Sequence, residues 1–145
     1  MSRESMSSFD IAVVISELNR LVKEAFIDNI YHVPPSTLLI KLRREGSSSV
    51  LLAEAGRRLH LTWYVVDVPE RPSSFCMSMR KWLRNGRLVN VTQPESERIV
   101  ALEILAWSGL NKLIIELFGK GNVILLSPGG EIRNVLHPRS CLLYT

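Results

Sequence analysis

Apolar residues recur at helical spacing near the start of the chain. Between about Phe9 and Glu24, one stripe contains Ile11, Val14, Ile15, Leu18 and Val22. Ser7 lies just before this segment, and Asp10 follows three residues later, which is the spacing of a helix N-cap and its capping-box partner. The pattern predicts an amphipathic helix that packs its stripe on a core.

The apolar spacing then changes to two residues, which is typical of strands. Pro34-Pro35 ends the first such segment, Glu45-Gly46-Ser47 separates the next two, and the stretch Gly119 to Asn122 predicts a tight hairpin turn. The segments read FIDNIYHV, STLLIKLRR, SVLLAEA, RRLHLTWYV, RLVNVTQ, RIVALEILAW, NKLIIELF, NVILLS and IRNVLH. They predict an α+β fold, an antiparallel sandwich or pseudo-barrel with flanking helices.

A second helix is predicted within PSSFCMSMRKWLRNGRL, from Pro72 to Leu88, with Ser73 or Ser74 as its N-cap. Phe75, Met79 and Leu83 recur every four residues and form its apolar side. The opposite side and the residues just after it carry Arg80, Lys81, Arg84 and Arg87. These cations are either a solvated face or a surface that contacts RNA phosphates, and the spacing alone does not choose between them.

Composition is that of one globular domain spanning residues 1–145, with 46% hydrophobic residues and a net charge of +4. Such a charge permits binding to nucleic acid without requiring it. Cys76 lies on the predicted apolar helix face, so a buried free thiol is expected, which suits a reducing compartment. No signal sequence or membrane-spanning run is present, and we expect a cytoplasmic protein without membrane contact.

Motifs of catalysis are missing from the sequence. It contains no G-x-S-x-G, H-E-x-x-H or Walker motif, and its three histidines have no metal-ligand spacing, so no metal, cofactor or small-molecule substrate is expected. Glu103 and Glu116 each interrupt an apolar strand, where a carboxylate needs a partner, and both are interpreted as structural.

Several segments together resemble the NFACT-N domain, the N-terminal domain of proteins long known as fibronectin-binding protein A homologues. The segments are SSFDIAVVISELN, RRLHLT, PSSFCMSMRKWLRNGRL, ERIVALEI and LIIELFGKGNVILL, in that order, and they extend from about Ser7 to Pro138. The resemblance implies a fold similar to the N-terminal domain of formamidopyrimidine DNA glycosylases. It also implies that the chain is the N-terminal part of a longer protein with further domains.

The function that this resemblance implies is ribosome-associated quality control. Family members bind stalled large ribosomal subunits that carry peptidyl-tRNA, and they recruit tRNA for template-free tailing of the nascent chain. The ribosome forms the peptide bond, so a binding factor rather than an enzyme is expected. The family's acidic residue at the start of the first helix matches Asp10, and its Asp-Arg pair for tRNA recruitment matches Glu97 and Arg98, with glutamate replacing aspartate.

Two alternatives remain open. The first is a DNA-binding relative of the glycosylases without catalysis, because the chain begins Met-Ser-Arg-Glu and lacks the N-terminal proline nucleophile of those enzymes. The second is an extracellular fibronectin-binding adhesin, against which the missing signal sequence argues.

Overall fold

The computed structural model describes residues 6–62, 67–94 and 97–138. These residues contain two helices and nine strands. The elements in chain order are α1 (Ser8–Leu21), β1 (Phe26–Val33), β2 (Thr37–Arg44), β3 (Ser47–Glu54), β4 (Arg58–Thr62), α2 (Ser74–Leu83), β5 (Arg87–Thr92), β6 (Ile99–Ala106), β7 (Gly109–Glu116), β8 (Asn122–Leu126) and β9 (Ile132–Val135). The α+β class is therefore confirmed. The last residues of the fourth predicted strand, 63–65, and Cys141 lie outside the described residues.

Helix α1 begins at its predicted capping box. The Ser7 hydroxyl accepts a bond from the Asp10 amide at 3.1 Å, and the Asp10 carboxylate accepts one from the Ser7 amide at 3.1 Å. The helix ends at Leu21, earlier than the predicted Glu24. Glu24 has a positive φ of 74°, and its amide donates to the carbonyl of Leu88 in β5 at 2.6 Å. Pairing with β5 therefore ends the helix, and periodicity within the helix cannot reveal that pairing.

The strands form one open antiparallel sheet in the order β4-β3-β2-β1-β5-β6-β7-β8-β9. Strands β1 and β5, in the middle of this order, share one register pair, Phe26 with Arg87, which is flanked by backbone hydrogen bonds between residues 24–27 and 85–88. Both carry a register shift near this seam, at Ile27/Asn29 in β1 and at Leu88/Asn90 in β5. Such bulges bend a strand and increase its twist. The two halves of the sheet are thus free to diverge from the seam and to enclose a common core.

The core is formed by alternate residues of both sheet halves together with the apolar sides of the helices. Helix α1 contacts β4 and β5, whereas α2 contacts β1, β6 and β9, so each helix joins strands of both halves. Core side chains that are fully or almost fully buried include Ile11, Leu18, Leu38, Ile40, Leu42, Met79, Leu83, Val100, Leu102 and Ile104. The apolar stripes predicted for the two helices face this core. Cys76 is buried as predicted, and its thiol donates to the Ile30 carbonyl at 3.3 Å.

Two turns from opposite halves of the sheet meet backbone against backbone. Residues 117–121 connect β7 to β8, a longer connection than the tight turn predicted from the sequence. Gly121 in this connection and Gly56 after β3 have φ values of +73° and +79°. A Cβ atom on either glycine would overlap the backbone of the other turn. The Gly56 amide also donates to the Glu116 carbonyl at 2.8 Å, so the glycines permit a contact that closes this end of the sheet.

We expect Gly121→Ala to destabilise the protein far more than Gly119→Ala. Both glycines lie in the same connection at positive φ, but a Cβ at Gly119 (φ +57°) meets nothing within 4 Å. Gly119→Ala should therefore lower the free energy of unfolding only by the cost of placing alanine in a left-handed backbone conformation, roughly 1–2 kcal/mol. Gly121→Ala adds a steric conflict with Gly56 that typically costs roughly 1–3 kcal/mol or more.

Urea unfolding of both variants measures this difference as a shift of the midpoint. Equal midpoints for the two variants would contradict the idea that the turns are held in backbone contact.

Candidate nucleic-acid interface

The amino end of α1 lies beside the segment that leads into β6. The side-chain amide of Gln93 donates to the Glu97 carbonyl at 2.8 Å and to the Ser8 carbonyl at 3.2 Å. The Glu97 amide donates in turn to the Pro94 carbonyl at 3.1 Å. One side chain thus joins two segments that lie 85 residues apart in the sequence.

Backbone hydrogen bonds extend this connection into a closed ring. The Met6 amide donates to the Arg57 carbonyl at 3.1 Å, and the Gly56 amide donates to the Glu116 carbonyl at 2.8 Å. The Leu117 amide donates to the Arg98 carbonyl at 2.9 Å. Followed through neighbouring residues, these bonds lead from α1 to the β3–β4 turn, then to the end of β7, and through Gln93 back to α1. The segments that carry the predicted tRNA-binding residues are therefore fixed relative to one another.

The predicted residues Asp10, Glu97 and Arg98 are all exposed at this ring. Asp10 also stabilises the helix, because its carboxylate belongs to the capping box. The Arg98 carbonyl is one of the ring acceptors, while its side chain lies at the surface. Their joint role in tRNA recruitment stays a prediction, and the Gln93 bridge is the part of the arrangement that the sequence did not reveal.

The four predicted cations of the second helix region have different environments. Lys81 and Arg84 are exposed. Arg80 is half-buried: its Nε donates to the Ile30 carbonyl at 2.8 Å, and its guanidinium lies 5.3 Å from the Tyr31 ring centroid. Arg87 forms an ion pair with Glu24 at 3.2 Å. The four side chains therefore do not form one uniformly exposed face, since Arg80 also attaches α2 to β1, and their contact with RNA phosphates stays a prediction.

A cluster of aromatic and cationic side chains adjoins the exposed end of α2. Trp82 stacks on Trp107 with ring centroids 5.2 Å apart, and the guanidinium of Arg133 lies 3.7 Å from the Trp82 centroid. These side chains come from α2, the β6–β7 turn and β9. No sequence motif links positions so far apart, which explains why the sequence analysis missed this cluster.

Two carboxylates in apolar strands have the environments of structural groups. Glu116 is fully buried next to the glycine contact, and its backbone carbonyl accepts the Gly56 bond. Glu103 is half-buried and lies opposite Lys112 in the register of β6 and β7. Opposite charges at such positions attract each other across the strands.

Residues 6–62, 67–94 and 97–138 contain no group of three or more His, Cys, Asp or Glu side chains that could hold a metal ion. Within the same ranges, neither helix is long and apolar enough to cross a membrane.

Comparison with known proteins gives one family and several relatives. The family model for the NFACT N-terminal and middle domains matches residues 7–141. The human ribosome quality control complex subunit NEMF is 34% identical over 138 residues, covering 95% of this chain and 13% of that protein. The archaeal Rqc2 homolog aRqcH of Methanocaldococcus jannaschii is 32% identical over 133 residues, covering 86% of this chain and 19% of that protein. The chain therefore spans less than a fifth of these relatives.

A solved structure shares the fold. The N-terminal domain of the fibronectin-binding protein PavA from Streptococcus pneumoniae superposes with a TM-score of 0.86 at 26% identity, covering 95% of this chain and 56% of that one. This likeness confirms the architecture of an antiparallel sheet with two helices.

We expect Gln93→Glu to loosen the contact between α1 and the segment before β6. Glutamate has nearly the same shape but cannot donate to the carbonyls of Ser8 and Glu97. Faster hydrogen exchange at the amides of residues 97–99, with a stability loss of about 1 kcal/mol, is the expected result.

Asn90→Asp is the matched control. It adds the same charge three residues earlier, within β5, but it keeps the oxygen that accepts the Val91 amide bond at 3.0 Å. Unchanged exchange in Gln93→Glu, or equal acceleration in both variants, would contradict the bridging role of Gln93.

Proposed function

The chain belongs to the NFACT N-terminal and middle domain family, and we propose that it is the RNA-binding module of a ribosome-associated quality control factor. In this proposal the factor binds stalled large ribosomal subunits that carry peptidyl-tRNA and recruits tRNA for template-free tailing. The human and archaeal relatives, named as a ribosome quality control subunit and as an Rqc2 homolog, support this role.

The ring that joins α1 to the start of β6 is the observation on which the proposal depends. It holds the backbones of the segments that carry Asp10, Glu97 and Arg98 through the two bonds of Gln93. All three side chains are exposed, so a macromolecule can reach them without any opening of the core. A rigid backbone with accessible side chains is suited to recognising a preformed RNA surface.

Arg98 is the group that contacts the RNA phosphate in this proposal. A guanidinium presents a planar fork of donors that binds phosphate oxygens bidentately and can also stack on a base. The carboxylates of Asp10 and Glu97 repel phosphate, so their roles must differ. They orient the arginine, or they accept hydrogen bonds from ribose hydroxyls and base amino groups. Glutamate at 97 reaches one methylene farther than the family's aspartate.

Exposed cations elsewhere add a sequence-independent attraction for RNA. Lys81 and Arg84 are exposed at the end of α2, and within the described part of the chain their side chains form none of the backbone or ion-pair bonds that occupy Arg80 and Arg87. Each phosphate that a cation neutralises releases counterions, which makes binding stronger at low salt.

The chemistry of tailing belongs to the ribosome in this proposal. The protein binds and positions tRNA, which raises the local concentration of the reacting ends without a catalytic group of its own.

Fibronectin binding is the second candidate, because the structural neighbour from Streptococcus pneumoniae bears that name. Duplex DNA is the third ligand to compare, since the sequence also allowed a DNA-binding relative of the glycosylases. All three ligands have to be measured at one ionic strength, because phosphate contacts make affinity depend steeply on salt.

We expect Arg98→Ala to weaken tRNA binding by about tenfold or more, since a hydrogen bond to a charged partner contributes roughly 1.5–3 kcal/mol. Arg43→Ala is the matched control, because Arg43 is a half-exposed arginine paired with Asp28 on a different strand. Surface plasmon resonance of tRNA, duplex DNA and fibronectin on the three immobilised proteins, at one salt concentration, measures the effect. Preference for DNA or fibronectin, or equal loss in both variants, would contradict the proposal.

We expect Asp10→Ala and Ser7→Ala to lower the free energy of unfolding by similar amounts. Of the two, only Asp10→Ala should weaken tRNA binding. Each variant removes the capping box, which typically stabilises a helix by about 1 kcal/mol. Only Asp10→Ala removes the carboxylate next to the Arg98 segment. Thermal unfolding combined with tRNA titration separates the two roles, and equal tRNA affinity in both variants would leave Asp10 with a capping role alone.

A further inference from the structure

Trp107 is held rigidly at the surface although most of its side chain is exposed. Its indole lies in the β6–β7 turn and stacks on Trp82 of α2 with an interplanar angle of 12°. The indole Nε1 donates to the Lys81 carbonyl at 2.9 Å. Trp107 is nevertheless 69% exposed. Since the stacked partner covers only one face of the ring, the other face is open to solvent.

Cations surround this tryptophan pair. Lys81 places its Nζ 4.9 Å from the Trp82 ring centroid, and Arg133 places its guanidinium 3.7 Å from the same centroid. Arg133 also donates to the Ser108 hydroxyl at 2.9 Å, which fixes it against the turn that carries Trp107. Arg84 is exposed directly after α2. Positive charge therefore adjoins the stacked pair through Trp82, and the residue whose carbonyl the Trp107 indole binds, Lys81, carries one of these cations.

We propose that the open face of Trp107 is a stacking platform for an unpaired nucleobase of RNA, with Lys81 and Arg84 binding the flanking phosphates. An aromatic ring stacks on any base, and nearby cations attract the sugar–phosphate backbone. The base must be unpaired, because bases within a duplex already cover each other's faces. This site deepens the proposed function and depends on it, since RNA is the partner in both.

A nucleotide suits this surface better than an apolar protein side chain. An apolar partner that covered Trp107 would also cover nearby cations, and burying charge without a counter-charge is costly. A nucleotide supplies a flat apolar base for the ring together with a phosphate for the cations. The surface therefore matches both parts of one ligand.

The platform is separate from the ring that carries Arg98. Arg98 immediately precedes β6, and Trp107 immediately follows it. A strand of eight residues spans about 25 Å at ~3.3 Å per residue. A substitution at one site therefore does not touch the other site, and the two sites can be tested separately.

The test compares short single-stranded oligoadenylate with an abasic ribose-phosphate strand of equal length at one salt concentration. Trp107→Ala should weaken binding of oligoadenylate about 5- to 100-fold and leave the abasic strand unaffected, which is the range for loss of one base–aromatic stack. Trp107→Phe should keep most of the affinity because a ring remains. Oligoadenylate should quench wild-type tryptophan fluorescence, and Trp107→Phe should remove most of that quenching.

Phe26→Ala is the control for loss of an exposed ring. Phe26 is 43% exposed and has Arg43 over its ring at 5.8 Å, but it lies at the start of β1. It should bind oligoadenylate as the wild type does.

Several results would overturn the platform while leaving the proposed function intact. One is that tRNA and oligoadenylate bind but Trp107→Ala binds them as tightly as the wild type does. Another is that Trp107→Ala weakens the abasic strand equally. If Trp107→Ala loses affinity for ribosomal subunits but not for oligoadenylate, the surface contacts a feature of the subunit other than an unpaired base. A wild-type chain that binds neither tRNA nor oligoadenylate would contradict the proposed function as well.

Discussion

The backbone contact between Gly56 and Gly121 is the constraint on which the rest of the structure depends. Strands β1 and β5 overlap only around the pair Phe26 and Arg87, and the helices join the two halves elsewhere, so this end of the sheet needs a connection of its own. The two turns supply it, because neither glycine has a side chain to separate them. The bonds from Gly56 to Glu116 and from Leu117 to Arg98 begin at this contact, so the geometry of the candidate site depends on it as well.

The sequence predicts local features of this fold well, because their causes lie within a few residues. Apolar periodicity identifies α1, α2 and the strands, and the pair Ser7 and Asp10 identifies the first helix start. Features that join distant residues are not encoded in any local pattern. The bond from Glu24 to Leu88, the bridge of Gln93 and the stack of Trp82 on Trp107 all depend on how the sheet curls. For the same reason, the family resemblance identified Arg98 but not the side chain that holds its segment in place.

Counting arginines overstates the charge that is available for RNA. Arginine has several donors in a rigid plane, and many of them here satisfy protein groups. Examples are Arg80 on Ile30, Arg44 on the Arg20 and Leu21 carbonyls, Arg87 with Glu24, Arg43 with Asp28, and Arg57 and Arg58 with Glu54. A net charge of +4 therefore describes the molecule poorly. The distribution of exposed cations beside aromatic or polar recognition groups is the more informative quantity.

Strand β6 determines how the two proposed contacts can act together. Its residues Val100, Leu102 and Ile104 are all buried on the core face of the sheet, so the strand cannot bend without disrupting the packing of that face. The distance between Arg98 and Trp107 is consequently a fixed property of the fold. An RNA whose shape matches this distance can bind both sites at once. After it binds one site, binding at the other is an intramolecular step, which raises the overall affinity. An RNA of a different shape gains only one of the two contacts, so a rigid strand between two modest sites discriminates among RNAs by shape.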